Sequence, residues 1–349
     1  MLNTETHGRS RAYRPYLQNR GGALYLPLPY APMQAIAQTQ FTLANQSGFH
    51  RGKVRDVYYI DNLLLSVTTD RVSAFDVVLP KPIPGKGAVL NLLAAHFFKA
   101  ATQVCPTWLL QVPDPNVSVG HKAEPFPIKI VAMGHLTGNA ARQYATGQRI
   151  LSSTTLPDGL YENDPLPEAI ITPTLKVEGG HEDISREQIL ERGLVSEAHL
   201  RKLDEYSLQL FTMGQQLARD RGLVLADTKY GFGLHNGRIV LIDEVHTPGS
   251  SSYFYAEGFE QRQKKQEPQK KLSQEFVSHW LSSQGFNGQA GQAVPDMDDS
   301  FLTQTSLRYQ ELYKILTGNS LPEQAFTLNL EDRILSNIQQ FLNTHQPTK

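Results

Sequence analysis

Residues 224–254 read VLADTKYGFGLHNGRIVLIDEVHTPGSSSYF, and the folding of this stretch decides the architecture of the chain. Two apolar runs, LVLAD and RIVLID, flank Asn236-Gly237. Asn-Gly is a strong hairpin signal because both residues tolerate positive φ, so two antiparallel strands are expected. Period-two alternation sets Asp227, Lys229 and Gly231 on one face and Tyr230, Phe232 and Leu234 on the other. The apolar face packs, which leaves the charged face to line something. A surface ladder of ion pairs is the competing reading. Near-continuous apolar runs argue against it, since they mark strands covered on both sides. A strict two-residue turn sets Glu244 opposite Lys229 and a bulge sets Asp243 there; the sequence leaves both open.

Working outward, DVYYI and LLLSVTT are apolar and β-branched enough for strands, with Asp61-Asn62 as their turn. The apolar spacing of residues 89–103 predicts a helix that stops before Pro106. IKIVAM, residues 128–133, reads as a strand, and HLTGNAARQYATG as a turn feeding a helix. Ser185 and Gln188 fit a capping box. Leu203, Tyr206, Leu210, Met213 and Leu217 form a helical stripe that Gly222 terminates. Residues 260–271 are a solvated helix end and loop, and two helical patterns close the chain. Strands and helices mix without regular βαβ alternation, which favours an α+β fold.

The 349 residues, 40% hydrophobic and 19% charged, suffice for one large or two closely packed domains. A formal charge of −1 gives no global field for nucleic acid. Cys105 is the only cysteine, which excludes an internal disulfide or a multi-cysteine zinc site and fits a reducing, cytoplasmic setting. No apolar run approaches the roughly 20 residues of a membrane span. Residues 1–32, Arg-rich and poor in acids, are expected to be a disordered extension, with Met33 as a plausible start.

Four clusters carry candidate chemistry. RGKVRDVY offers Gly52, Lys53 and Arg55 at a strand entry, where backbone amides and cations suit phosphate; a solvated strand edge is the plainer alternative. TTDRVSAFD with IPGKG brings Asp70, Arg71, Ser73, Asp76 and Lys86 to a strand end, either for a ligand or to cap a turn. HLTGNAA places Thr137 at a helix start, as an anion site or an ordinary N-cap. The hairpin contributes Asp227, Lys229, Asp243 and Glu244, acids and a lysine suited to Mg²⁺ and nucleotide phosphates.

Taken in order, GKVRDVY, TTDRVSAFDVVLPKPIPGKG, GHLTG, ITPTLKVEGGHEDIS, ADTKYGFGL, LIDEVHTP and PDMDDSFLTQTSLRYQELYKILTG resemble the SAICAR synthetase family over roughly residues 33–318. The resemblance implies an ATP-dependent ligase of purine biosynthesis. It joins L-aspartate to the carboxylate of carboxyaminoimidazole ribotide through an acyl phosphate. It further implies a smaller β-rich N-terminal lobe over residues 33–125, a larger α+β lobe over 126–318 and a helical tail over 319–349, with the ATP cleft between the lobes. By the same resemblance Gly52, Lys53, Arg55 and Lys229 meet ATP, and Asp227 and Lys229 are catalytic. Asp243 and Glu244 hold Mg²⁺, while Asp70, Arg71, Ser73, Asp76, Lys86, Thr137, Ser250 and Ser251 line the ribotide and aspartate pockets. The implied partners are these small molecules, with a homo-oligomer allowed.

The chain departs from the family inside its motifs. Gly231 stands where TKYEFG has Glu, and Gly249 and Ser252 stand where PDSSR has Asp and Arg. Met133 and Asn139 replace the Arg and Ser of VVRGYLTGS. A charged hydrogen bond is worth roughly 1.5–3 kcal/mol, so the two missing arginines bear directly on activity. The alternatives are a paralogous carboxylate–amine ligase with another substrate and an inactive nucleotide-binding homologue.

Overall fold

The hairpin forms as its turn dictates. Asn236 and Gly237 both take positive φ, 50° and 72°, and the register closes as His235 opposite Arg238 and Leu234 opposite Ile239. The computed structural model describes residues 34–75, 77–151, 154–177, 180–272 and 275–345. Asp76 and the expected leader therefore lie outside the described residues.

The first half of the chain builds strands β1 (Gln46–Arg51), β2 (Arg55–Ile60) and β3 (Leu63–Thr68), then the short pair β4 (Ser73–Ala74) and β5 (Val77–Val78). Helix α1 (Lys86–Ala101) and strands β6 (Leu109–Asp114) and β7 (Val117–His121) follow. They form a five-stranded antiparallel sheet in the order β1-β2-β3-β7-β6. The second half supplies β8 (Glu124–His135), α2 (Gly138–Ala145), the small pair β9 (Ile150–Leu151) and β10 (Thr154–Thr155), β11 (Pro165–Val177) and β12 (Gly180–Asp183). Helices α3 (Arg186–Glu191) and α4 (Glu197–Arg219) lead into β13 (Leu223–His235), β14 (Arg238–Ile242) and β15 (Ser251–Tyr255). The chain ends in α5 (Phe259–Lys264), α6 (Glu275–Ser283), α7 (Asp299–Thr317) and α8 (Leu330–Thr344). The capping box at Ser185 and Gln188 is formed, as its spacing predicts.

The second sheet runs β12-β11-β8-β13-β14, with β15 also on β13. Along one edge β13 exchanges partners: Leu223–Thr228 pairs with β15, and Gly231–His235 pairs with β14. Lys229 lies at the exchange, its amide bonded to the Ser250 carbonyl at 2.9 Å. The buried face of this sheet presents Tyr230 and Phe232 to a core shared with Phe97, Leu210, Phe211 and Leu312 of the helices. The first sheet buries Tyr58, Leu65, Val67 and Val119 against Ile334, Ile338 and Phe341 of α8, so the last helix returns to the first strands. Among the described residues no helix is long and apolar enough to cross a membrane.

Candidate active site

The loop between β1 and β2 is closed by the Gly52 amide on the Arg55 carbonyl at 2.8 Å and is held from behind by Arg71. The Arg71 guanidinium donates to the carbonyls of Lys53 (3.0 Å), Gly52 (2.9 Å) and Ala37 (2.5 Å) and to Asp56 Oδ1 (2.8 Å). Asp70 accepts from the amides of Ile36 and Gly87 at 2.9 and 2.7 Å. A Cβ at Gly87 would stand 2.3 Å from the Thr68 carbonyl oxygen, so only glycine brings this amide so near. Lys86, fully buried, donates to the Arg71 carbonyl at 2.8 Å. Burial pushes its ammonium down to about 8, while Glu244 and Asp70 pull it up. Burial pushes Asp70 up to about 6 against those two amides. Asp70, Arg71 and Lys86, expected to line a substrate pocket, turn these polar groups inward to support the loop. Ser73 lies in β4, half-buried.

On the open face of the second sheet, Asp227 sits between Met133 of β8 and Ser252 of β15. Thr137 donates to its Oδ2 at 2.5 Å and Ser252 to its Oδ1 at 3.1 Å. Thr137 occupies the N-cap position of α2 but makes no side-chain cap bond there, since its hydroxyl is turned to Asp227. Two residues on, Lys229 has no hydrogen bond or ion pair from its ammonium among the described residues. Burial, then Lys129, hold that ammonium below its ordinary range, while Asp227 and Asp183 pull it back up. Ser250 is half-buried at the partner exchange. Ser251, expected in the pocket, is buried and bonded to Thr228 at 2.7 Å.

The register choice left open by the sequence resolves as neither alternative. Strand β14 ends at Ile242 opposite Gly231, and Asp243 takes a φ of 66°, which carries the chain off the sheet before either acid can face Lys229. Asp243 Oδ2 meets Lys129 Nζ of β8 at 2.8 Å. Glu244 Oε2 meets Arg55 Nη2 at 3.1 Å and accepts from the Thr247 hydroxyl. Desolvation pushes both carboxyls up, but the neighbouring cations win and hold them low: Lys129 foremost for Asp243, Arg55 for Glu244. The Arg55–Glu244 pair ties the basic loop of the first sheet to the acidic end of the hairpin, so two clusters far apart in sequence meet in space.

These acids do not make a ready Mg²⁺ site. Among the described residues no group of three or more His, Cys, Asp or Glu side chains is arranged to hold a metal ion. Each of Asp243 and Glu244 already faces a cation.

Residues 48–293 match the family model described as SAICAR synthetase. The chain belongs to the SAICAR synthetase family. A phosphoribosylaminoimidazole-succinocarboxamide synthase from Cytophaga hutchinsonii is 52% identical over 309 residues, 88% of this chain and 99% of that protein. One from Flavobacterium psychrophilum is 49% identical, covering 89% and 99%. The SAICAR synthase of Saccharomyces cerevisiae, solved with SAICAR, superposes with a TM-score of 0.70 at 30% identity over 81% of this chain and 98% of the other. The family's fold accounts for the two antiparallel sheets and the closing helices.

Against that family, the altered positions fall in three places. Met133 and Ser252 flank Asp227 in register, so neither flank carries a cation. Gly231 lies under Asp243, and a Cβ at Gly249 would stand 3.2 Å from Glu244. Asn139 reaches Asp183 at 3.4 Å. Sequence reasoning missed Lys129, although its strand alternation with Val131 and Met133 places it on the charged face.

Proposed function

We propose that the chain is an ATP-dependent ligase that joins L-aspartate to the carboxylate of carboxyaminoimidazole ribotide, forming SAICAR in a cytoplasmic purine-biosynthetic setting. The observation that carries the reading is the Arg55–Glu244 pair, which ties the glycine-containing loop to the acidic end of the hairpin whose first strand carries Lys229. Family membership supplies the reaction; the cleft supplies the means.

The ribotide carboxylate oxygen attacks the γ-phosphorus, ADP leaves, and the carboxylate becomes an acyl phosphate. Aspartate nitrogen then attacks the acyl carbon and phosphate departs, carrying the original carboxylate oxygen. Neither step needs a covalent bond to the protein; alignment and charge neutralisation suffice. Lys53, Arg55 and Lys229 are assigned to the ATP phosphates, with the Gly52 loop as their frame. Lys229, whose ammonium makes no hydrogen bond or ion pair among the described residues, keeps its donors for phosphate oxygens. Asp227, held by Thr137 and Ser252, is assigned to the amine, where it orients the nitrogen and accepts the proton lost as the amide forms. Ser250 borders the same side. Asp70, Arg71 and Lys86 act through the loop they support.

A second reading is favoured by Met133 and Ser252. With no cation on either flank of Asp227, that side suits an acceptor less anionic than aspartate. One assay separates the two: purified protein, ATP and the ribotide with L-aspartate or with a panel of neutral amines, following ADP release. ADP release with aspartate supports the first reading. Release only with a neutral amine supports the second, and no release with any amine overturns both.

A further inference from the structure

Gly231 lies on β13 between Lys129 of β8 and Ile242 of β14. Just past Ile242, the left-handed turn at Asp243 folds its carboxylate back over the glycine. A Cβ at position 231 would stand 2.6 Å from Asp243 Oδ2, so a side chain there would require that carboxylate to swing aside. From the opposite strand Lys129 reaches the same oxygen at 2.8 Å. The pair is open to solvent: the side chains are 28% exposed for Lys129 and 42% for Asp243. Three features therefore meet at one point, namely the bare position 231, the left-handed Asp243 and the lysine of the neighbouring strand.

We infer that Lys129 is the resident cation of Asp243, a fixed ammonium in the place where a divalent ion would otherwise join this carboxylate to the nucleotide's phosphates. An ammonium has three donors. One is used on Asp243. The other two are available to phosphate oxygens, and with Lys229 they put two lysines on the phosphate side of the cleft. A divalent ion at Asp243 has to displace a charge already in contact. Arg55 sets the same obstacle at Glu244, 3.1 Å away. The chain thus holds no divalent ion of its own at Asp243 and meets the nucleotide with lysine. The nucleotide part of this inference rests on the ligase reading; the metal part does not.

Manganese uptake, followed by the electron paramagnetic resonance of free Mn²⁺, tests the metal part without nucleotide or substrate. The wild type and Asp243→Asn are expected to titrate alike. Lys129→Gln is expected to gain one site tighter by on the order of tenfold, since a unit charge at contact distance is removed. Lys129→Arg and the double variant Lys129→Gln with Asp243→Asn are expected to show no gain. Circular dichroism confirms that each variant is folded. Wild-type uptake that Asp243→Asn abolishes, or a Lys129→Gln titration equal to that of the wild type, overturns the inference. A calorimetric titration with ADP in EDTA then tests the nucleotide part. Retained wild-type binding that Lys129→Gln weakens supports it, and wild-type binding lost in EDTA contradicts it. Because the manganese titration involves no reaction, a failed ligase assay leaves its result intact.

Discussion

Replacing Arg71 by Met tests the claim that this residue is a clamp on the nucleotide loop and not a substrate contact. The guanidinium makes four hydrogen bonds, three to backbone carbonyls outside the strands and one to Asp56, whose side chain is fully buried. Methionine fills a similar volume but leaves those carbonyls without a donor. Asp56 keeps Thr39 and the half-exposed Arg51, whose Nε stands 3.3 Å away. Breaking one side of a buried ion pair costs about 3–5 kcal/mol. Arg51 offsets part of that, so a loss of about 3 kcal/mol in urea unfolding is expected. Calorimetry is expected to show ATP affinity reduced, because the loop carrying Lys53 and Arg55 is no longer fixed, with the KM for ribotide little changed. Arg71→Lys, which keeps the charge but not the planar fork, should recover only part of the stability. A variant within about 1 kcal/mol of wild-type stability whose ribotide KM rises sharply would refute the clamp and return Arg71 to the substrate pocket.

Two further outcomes follow from the geometry. Burial lowers the Lys86 ammonium to about 8 from 10.5, so between those values only the unfolded chain carries its proton. Unfolding then takes up a proton and stability rises with pH through that window; urea midpoints of the wild type should gain on those of Lys86→Met from about pH 8 to about pH 10, and parallel curves would contradict this. Asp227→Asn should lower kcat by roughly 10²- to 10⁴-fold with ADP affinity unchanged, since the amide cannot take the amine's proton; an equal loss of ADP affinity would place Asp227 on the phosphate side instead.

Local signals in the sequence are realised locally. Asn236-Gly237 fixes the hairpin turn, and Ser185 with Gln188 fixes a helix start, because both act within four residues. The alternation of β13 correctly divides Tyr230 and Phe232 from Asp227 and Lys229. What was not legible depends on distant partners. Which carbonyls a buried guanidinium meets is decided by how Ala37 and Gly52 approach Arg71, and no periodicity near residue 71 encodes that. Asp243 departs from the extended backbone that its apolar run implies, so the register argument for the two acids failed at that residue. Lys129 is on the charged face by alternation, but its partner is not legible: only the folded chain brings Asp243 over Gly231 and within reach of its ammonium.

The central claim is that ATP activates a carboxylate in this cleft and aspartate then takes the acyl group. Carboxyaminoimidazole ribotide labelled with ¹⁸O in its carboxylate, incubated with ATP, L-aspartate and the purified protein, tests it directly. The account predicts that SAICAR appears and that each phosphate released carries one labelled oxygen. Phosphate without label, or no SAICAR above a Lys229→Met control, would contradict it.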